Sequence, residues 1–196
     1  MGTGYKLLEC IGCGFQFVSP RPTIHELQSV YDPPPEGTFA AKSSEEARRV
    51  AVRIDRILSR YAGERHVLEV GCNTGFILHG LSRLGYSVTG TDLSSTALAY
   101  ARREYGLTDV YCSEFPPDDR VETLDIVLAS HIIEHVIDPQ HFVEQCARFL
   151  KPNGVFLVFT PNVRSAGMRM FGRHYPVFCP PIHINYFSKQ TLRRLV

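Results

Sequence analysis

Three groups of residues carry side chains with chemistry to offer. The first is Glu69-Val70-Gly71-Cys72-Asn73-Thr74-Gly75, with Asp92 17 residues beyond Gly75. Two glycines in such a run let the backbone turn tightly and approach a ligand with no Cβ in the way. Asn73 stands where a residue tolerant of left-handed backbone is wanted. A carboxylate at Asp92 can accept two hydrogen bonds from a ribose diol, and Glu69 can orient the turn or meet an ammonium group through water. The second group is His131-Ile132-Ile133-Glu134-His135, with His183 much later. Histidine titrates near neutrality and can take the proton of a hydroxyl or amine. His135 is the expected general base, His183 the second choice, and Glu134 the carboxylate beside them. The run also spells H-x-x-E-H, an inverted zinc-protease signature, but that motif needs a long helix and Pro139 follows His135 by four residues. The third group is Cys10 and Cys13. A structural zinc wants four ligands, so no metal is expected, with this pair as the alternative site.

The glycine turn admits three ligand classes. A dinucleotide site would read G-x-G-x-x-G, whereas the chain has G-x-x-x-G with Asn73 at the second glycine. A P-loop would continue G-K-[ST], whereas Phe76 follows Gly75. A nucleoside sulfonium needs no phosphate cradle. It needs a tight turn, one acid for the ribose and one acid near the first strand, and Gly71, Gly75, Asp92 and Glu69 supply these.

The elements that must position these groups fit a chain of 196 residues, room for one domain and a small appendage. With 44% hydrophobic and 21% charged residues, disordered and fibrous classes are excluded. No apolar run approaches a membrane span, and the first residues lack the layout of a signal peptide, so a cytoplasmic protein is expected. Six cysteines without an export signal read as thiols or metal ligands and not as a disulfide framework. The net charge of +1 hides an asymmetry: residues 160–196 hold six basic residues, among them Arg164, Arg169 and Arg173, and no acid. Such a tail can attract an anionic partner.

Along the chain, prolines at 20, 22 and 33–35 make the first 40 residues irregular, apart from one short helix over 23–31 capped by Thr23 and Glu26. Ser43 and Glu46 open a clearer helix, whose apolar face is Ala47, Val50, Ala51, Ile54, Ile57, Leu58 and Tyr61. From residue 66, strands and helices alternate: HVLEV, the glycine turn, a helix to Gly85, YSVTGTD, a helix after Ser94 or Ser95, DVYC, LDIVLAS, a helix from Pro139 through Leu150, and VFLVFT. Alternation of this kind argues for βαβ units and a parallel sheet. Residues 161–187 read as a long connection.

In the order EVGCNTG, TGTDLS, LDIVLASHIIEHVIDP, LKPNGVFLVFTPN and HINYFS, over residues 66–188, the chain resembles a class I S-adenosylmethionine-dependent methyltransferase of small-molecule type. The resemblance implies a Rossmann-like α/β fold: a five-stranded parallel sheet of order 3-2-1-4-5 with helices on both faces. It implies S-adenosylmethionine, or the product S-adenosylhomocysteine, as cofactor. Gly71 and its loop, with Cys72, Asn73 and Gly75, would hold the methionine part and Asp92 the ribose. Leu93 would pack on the adenine, the segment Tyr111 to Glu114 would meet its edge, and Ser130 and His131 would lie beside the methionine end. Asn73 departs from the family's usual glycine.

The family's N-terminal extension often resembles a zinc ribbon. Cys10-Ile-Gly-Cys13 before Ser19-Pro20-Arg21-Pro22 resembles its second half, with the first knuckle absent. Some metal-dependent O-methyltransferases of the class carry E-x-x-E-H and a later His. That would put a divalent ion on Glu134, His135 and His183, but His131 stands where their first Glu would be, so the expectation remains metal-free. The domains expected are an arm over residues 1–42 and a methyltransferase domain over 43–196. Family members usually continue into two more strands, so a C-terminal truncation is expected, with the fifth strand an exposed edge for self-association. The function implied is methyl transfer to a small-molecule oxygen, nitrogen or carbon, the acceptor being anionic or nucleotide-linked. The alternatives are a NAD-dependent nucleotide-sugar enzyme and a non-catalytic module binding the cofactor or RNA. The aromatics are not interleaved with basic residues as in RNA-recognition motifs.

Overall fold

A computed structural model describes residues 4–23, 26, 44–61, 65–174 and 177–196. Strands β1 (Lys6–Glu9) and β2 (Gln16–Ser19) come first, then helix α1 (Ser44–Leu58). They are followed by β3 (His66–Val70), α2 (Phe76–Ser82), β4 (Ser87–Asp92), α3 (Ser95–Tyr105), β5 (Val110–Cys112) and β6 (Leu124–Ser130). Helix α4 (Pro139–Arg148), β7 (Leu150–Phe159), α5 (Ala166–Phe171), β8 (Asn185–Tyr186) and α6 (Lys189–Leu195) complete the order.

The chain divides into two bodies. One comprises residues 33–130 and 146–157, the other residues 1–32, 131–145 and 158–196. The first is built on a five-stranded sheet of order β5-β4-β3-β6-β7. Numbered within this sheet alone, that is the third, second, first, fourth and fifth strand. Strand β3 pairs in parallel with both β4 and β6, and β4 with β5. The apolar strands are buried because helices cover such sheets: Val67, Leu68 and Val70 on β3 and Ile126, Val127, Leu128 and Ala129 on β6. Each large side chain among them is worth about 1.5–3 kcal/mol of burial. Helix α1 buries Ala47, Ala51, Ile54 and Leu58. An ideal Cβ at Gly80 of α2 would lie 2.5 Å from the Ala47 carbonyl oxygen, so the two helices meet where only glycine fits.

In the second body β2 pairs antiparallel with β1 and with β8, around a small core of Val18, Ile184 and Tyr186. No helix among the described residues is long and apolar enough to cross a membrane.

Several expectations change in detail. The first residues are not irregular throughout, since the alternating stretch around Phe15 to Ser19 pairs as a hairpin strand with β1. Ile57 and Tyr61 are 38% and 56% exposed; Ile57 sits at the margin of the α1 stripe, and Tyr61 lies beyond the helix, which ends at Leu58. Helix α2 stops at Ser82 and α4 at Arg148, while β7 begins at Leu150 and takes in Asn153 at φ 67. The 161–187 connection contains α5 and β8. Ser43 and most of the 23–31 helix fall outside the described residues. Thr23 and Glu26 do exchange the capping bonds, Thr23 N to Glu26 Oε2 at 2.7 Å and Glu26 N to Thr23 Oγ1 at 3.2 Å.

Candidate active site

In the sheet body, the turn after β3 is held from the neighbouring strand. The Cys72 N–H donates to Thr91 O at 2.8 Å and the Gly75 N–H to Cys72 O at 2.8 Å. Gly71, Asn73 and Gly75 all have positive φ, at 71°, 50° and 73°. For Gly75 glycine is obligatory on space as well, because a Cβ would run into Leu107 and sit 3.2 Å from Ala101 Cβ. Asn73 tolerates its left-handed backbone, and its Oδ1 accepts the Thr74 N–H at 2.7 Å.

Asp92 closes β4 with both oxygens engaged. Oδ2 accepts the Asn73 N–H and Oδ1 the Ser94 N–H, each at 2.8 Å. The expectation had reserved this carboxylate for a ribose alone; the structure adds a second task, tying the glycine turn to the end of β4. A carboxylate has about four lone-pair sites, so each oxygen keeps room for one further donor. Leu93 next to it is 69% exposed, an apolar face standing in water. Glu69 is 2% exposed, and its Oε2 has no hydrogen-bond partner. Burial first, and the charge of Asp92 second, push its carboxyl well above the usual carboxylate range, against the Leu78 backbone N–H. Cys72 is buried and burial drives its thiol far up, so it packs beside Leu78 and Leu98 and offers no thiolate. Glu114 is exposed, and its contribution is a backbone carbonyl accepting the Thr91 hydroxyl at 3.0 Å. Ser130 ends β6, half-buried.

These residues fit an adenosyl sulfonium. Spare lone pairs on Asp92 match a ribose diol, exposed Leu93 matches an adenine face, the glycine backbone allows close approach, and the orphaned Glu69 oxygen is a buried acceptor awaiting a donor. The signal for Glu69, Gly71, Gly75 and Asp92 was local spacing, and the structure brings them together at the ends of adjacent strands.

In the other body, residues 131–137 form turns and bends and no helix, so the protease geometry is absent there. Glu134 is 1% exposed. Its Oε2 accepts the Thr160 hydroxyl at 2.9 Å, a partner 26 residues away that spacing did not announce. Its Oε1 lies 3.3 Å from His131 Nδ1. That is longer than the roughly 2.7–2.9 Å of a charge-assisted bond, and the oxygen has no hydrogen-bond partner. Burial would raise the Glu134 carboxyl, but contact with His131, its own backbone N–H, Thr160 and the charge of His135 together hold it below its usual value. It is therefore ionised.

His135 Nδ1 is 2.9 Å from Ile182 O, and His183 Nδ1 is 2.8 Å from Val177 O. A carbonyl only accepts, so both Nδ1 atoms carry hydrogen, and whenever either ring is neutral its lone pair sits on Nε2. The rings meet edge to face with centroids 4.7 Å apart. Burial, then the charge of His135, lower the His183 pKa, with Glu134 opposing; His183 is neutral at physiological pH. The ligand atoms of Glu134, His135 and His183 all lie within 4.8 Å of one another, so the same trio could hold a divalent cation. His131 is exposed, at φ 58.

Cys10 and Cys13 flank the β1–β2 turn, both half-buried. Backbone N–H groups of Cys13 and Gly12 lower the Cys10 thiol. Among the described residues the pair has no further metal-ligating side chains gathered with it. Of the three basic loop residues, Arg164 lies 3.6 Å from Glu9 Oε1. It lines, with Cys13, Asn162, Ser188 and Lys189, a cleft of about 430 Å³.

A family model described as a methyltransferase domain matches residues 43–196. Over 119 residues the chain is 37% identical to a ubiquinone biosynthesis O-methyltransferase of Bradyrhizobium diazoefficiens, covering 58% of this chain and 47% of that protein. Over 118 residues it is 37% identical to a probable S-adenosylmethionine-dependent methyltransferase of Mycolicibacterium smegmatis, covering 59% and 45%. The chain thus spans about half the length of the curated relatives it matches. A crystal structure of a SAM-dependent methyltransferase from Archaeoglobus fulgidus superposes with TM-score 0.58 at 23% identity, covering 78% of this chain and 66% of that one, and shares the fold.

Proposed function

We propose that this chain, which belongs to the methyltransferase-domain family of class I S-adenosylmethionine-dependent enzymes, carries a methyl group from S-adenosylmethionine to an oxygen of a small-molecule acceptor. The observation that carries the reading is the double use of Asp92, whose two oxygens pin the glycine turn at Asn73 and the start of α3 at Ser94. When bound, the cofactor supplies a methyl group on a cationic sulfur that departs as a neutral thioether. Asp92 takes the ribose hydroxyls, Leu93 the adenine, and the backbone of residues 71–75 the methionine end. Glu69 meets the ammonium group, which draws its raised carboxyl back towards ionisation.

An oxygen acceptor must lose its proton. His135 Nε2 is the base, His183 the second candidate, and ionised Glu134 stabilises the imidazolium that results. A positioned base contributes about 10²–10⁴-fold; alignment of donor and acceptor can supply roughly 7–11 kcal/mol. Relatives named O-methyltransferases favour oxygen over nitrogen or carbon. The cleft with Arg164 and Lys189 supports an acceptor bearing an anionic group. Six free thiols suit a reducing, cytoplasmic compartment. The β7 edge, flanked on one side only among the described residues, is where a second copy would pair.

Calorimetry with S-adenosylhomocysteine and with NAD tests the proposal. Binding of the former and not the latter is expected; the reverse would move the chain to the dinucleotide enzymes.

A further inference from the structure

The Ser19-Pro20-Arg21-Pro22 segment has no part in the chemistry above, yet Arg21 reaches its neighbourhood. Arg21 Nη1 donates to Asn185 Oδ1 at 2.7 Å and to Ile184 O at 3.3 Å. Its guanidinium lies over the Phe17 ring, 5.6 Å from the centroid. Phe17 is itself the β2 partner of Asn185, and the Val18 N–H donates to Ile184 O at 3.0 Å.

Asn185 is 1% exposed, and its side-chain amide is fully committed. Nδ2 donates to Ile133 O at 3.1 Å and to Val136 O at 2.7 Å. The backbone N–H groups of Ile184 and Asn185 both donate to Glu134 O, at 2.9 and 3.0 Å. The turn that carries Glu134 and His135 therefore hangs from residues 184–185, and His183 sits on the same strap. An asparagine amide can face either way. Turned over, it would put its oxygen against two carbonyls and its NH₂ against a guanidinium that can only donate. Arg21 thus reinforces the amide orientation that the Ile133 and Val136 carbonyls require, and through it helps to hold those two carbonyls in place.

We infer that Arg21 is a positioning residue for the Glu134–His135–His183 cluster, acting through the Asn185 amide, so that the N-terminal segment is a working part of the acceptor side. The inference rests on the reading of that cluster as the proton-handling group, but its geometric content stands apart from the cofactor. A lysine could replace the charge but not the planar guanidinium that lies over Phe17 while its Nη1 reaches both acceptors.

The test is long-range ¹⁵N–¹H NMR of the histidine rings in the full chain, with S-adenosylhomocysteine calorimetry alongside. In the unaltered protein both His135 and His183 report the Nδ1–H tautomer. In Arg21→Ala the strap and the turn it carries loosen, the His135 and His183 rings lose the Ile182 and Val177 carbonyls, and both rings move towards the Nε2–H form, while S-adenosylhomocysteine affinity is unchanged; added guanidinium ion restores the Nδ1–H signal. Arg21→Lys, the milder change, gives the same tautomer shift and decides the matter if Arg21→Ala does not fold. Unchanged tautomers in the folded variants overturn the inference whether or not the cofactor binds. Loss of S-adenosylhomocysteine binding in the unaltered protein would instead strike the proposed function.

Discussion

Asp92→Ala removes two hydrogen bonds of 2.8 Å from a charged acceptor, one to each of Asn73 and Ser94. Bonds to charged groups are worth about 1.5–3 kcal/mol each when desolvated. Asp92 is half-buried and Asn73 exposed, so the low end applies and the free protein loses about 3 kcal/mol in all. For a chain of this size that is a Tm drop of roughly 6–12 °C. The ribose contacts are a separate loss, about 1–3 kcal/mol, or about 5- to 150-fold in affinity. The two losses part in calorimetry with S-adenosylhomocysteine and its 2′,3′-dideoxy analogue. The variant should bind the former much more weakly and the latter about as well as the unaltered protein does. An equal loss for both ligands would mean that Asp92 acts only by shaping the turn. An unchanged affinity for S-adenosylhomocysteine would mean that the ribose lies elsewhere. Asp92 also raises the Glu69 carboxyl, so the same variant should let Glu69 titrate lower.

Glu69→Gln mimics the protonated carboxyl. Because the folded pKa of Glu69 is raised above 4.5, its stabilising contribution is complete below 4.5 and is lost as pH rises through the folded value. The Tm of the variant should therefore gain on that of the unaltered protein as pH climbs in a fluorimetric melting series; parallel curves would contradict the burial argument. Gly80→Ala should lower Tm, because the new methyl meets the Ala47 backbone oxygen 2.5 Å away and α1 must move off α2; overpacking of this kind costs about 1–3 kcal/mol, and a melting point within error of the parent would refute the close approach. With Glu134, His135 and His183 handling a proton, magnesium, manganese and zinc should leave Tm and turnover unchanged. A metal-dependent rise in Tm abolished by His183→Ala would reassign the trio as ligands.

Much of the sheet body was legible in the sequence because its determinants are local. An apolar strand, glycines that accept positive φ at 71 and 75, and an acid at the end of the next strand are decided by sterics and periodicity within some twenty residues. Parallel pairing of β3 with β4 then follows from the short helical crossover between them. Even here the neighbouring strands added what spacing could not: that Asp92 holds the Asn73 amide, and that Leu107 closes over Gly75. The acceptor-side cluster divides the same way. Its residue types were visible, but the tautomers of His135 and His183 depend on the carbonyls of Ile182 and Val177. The second oxygen of Glu134 depends on Thr160, and the strap depends on a bond from Arg21 to Asn185 across 164 residues. Side-chain type and local backbone preference are properties of a residue and its near neighbours. Which carbonyl stands opposite which donor is a property of the whole chain's path, and only the folded molecule decides it.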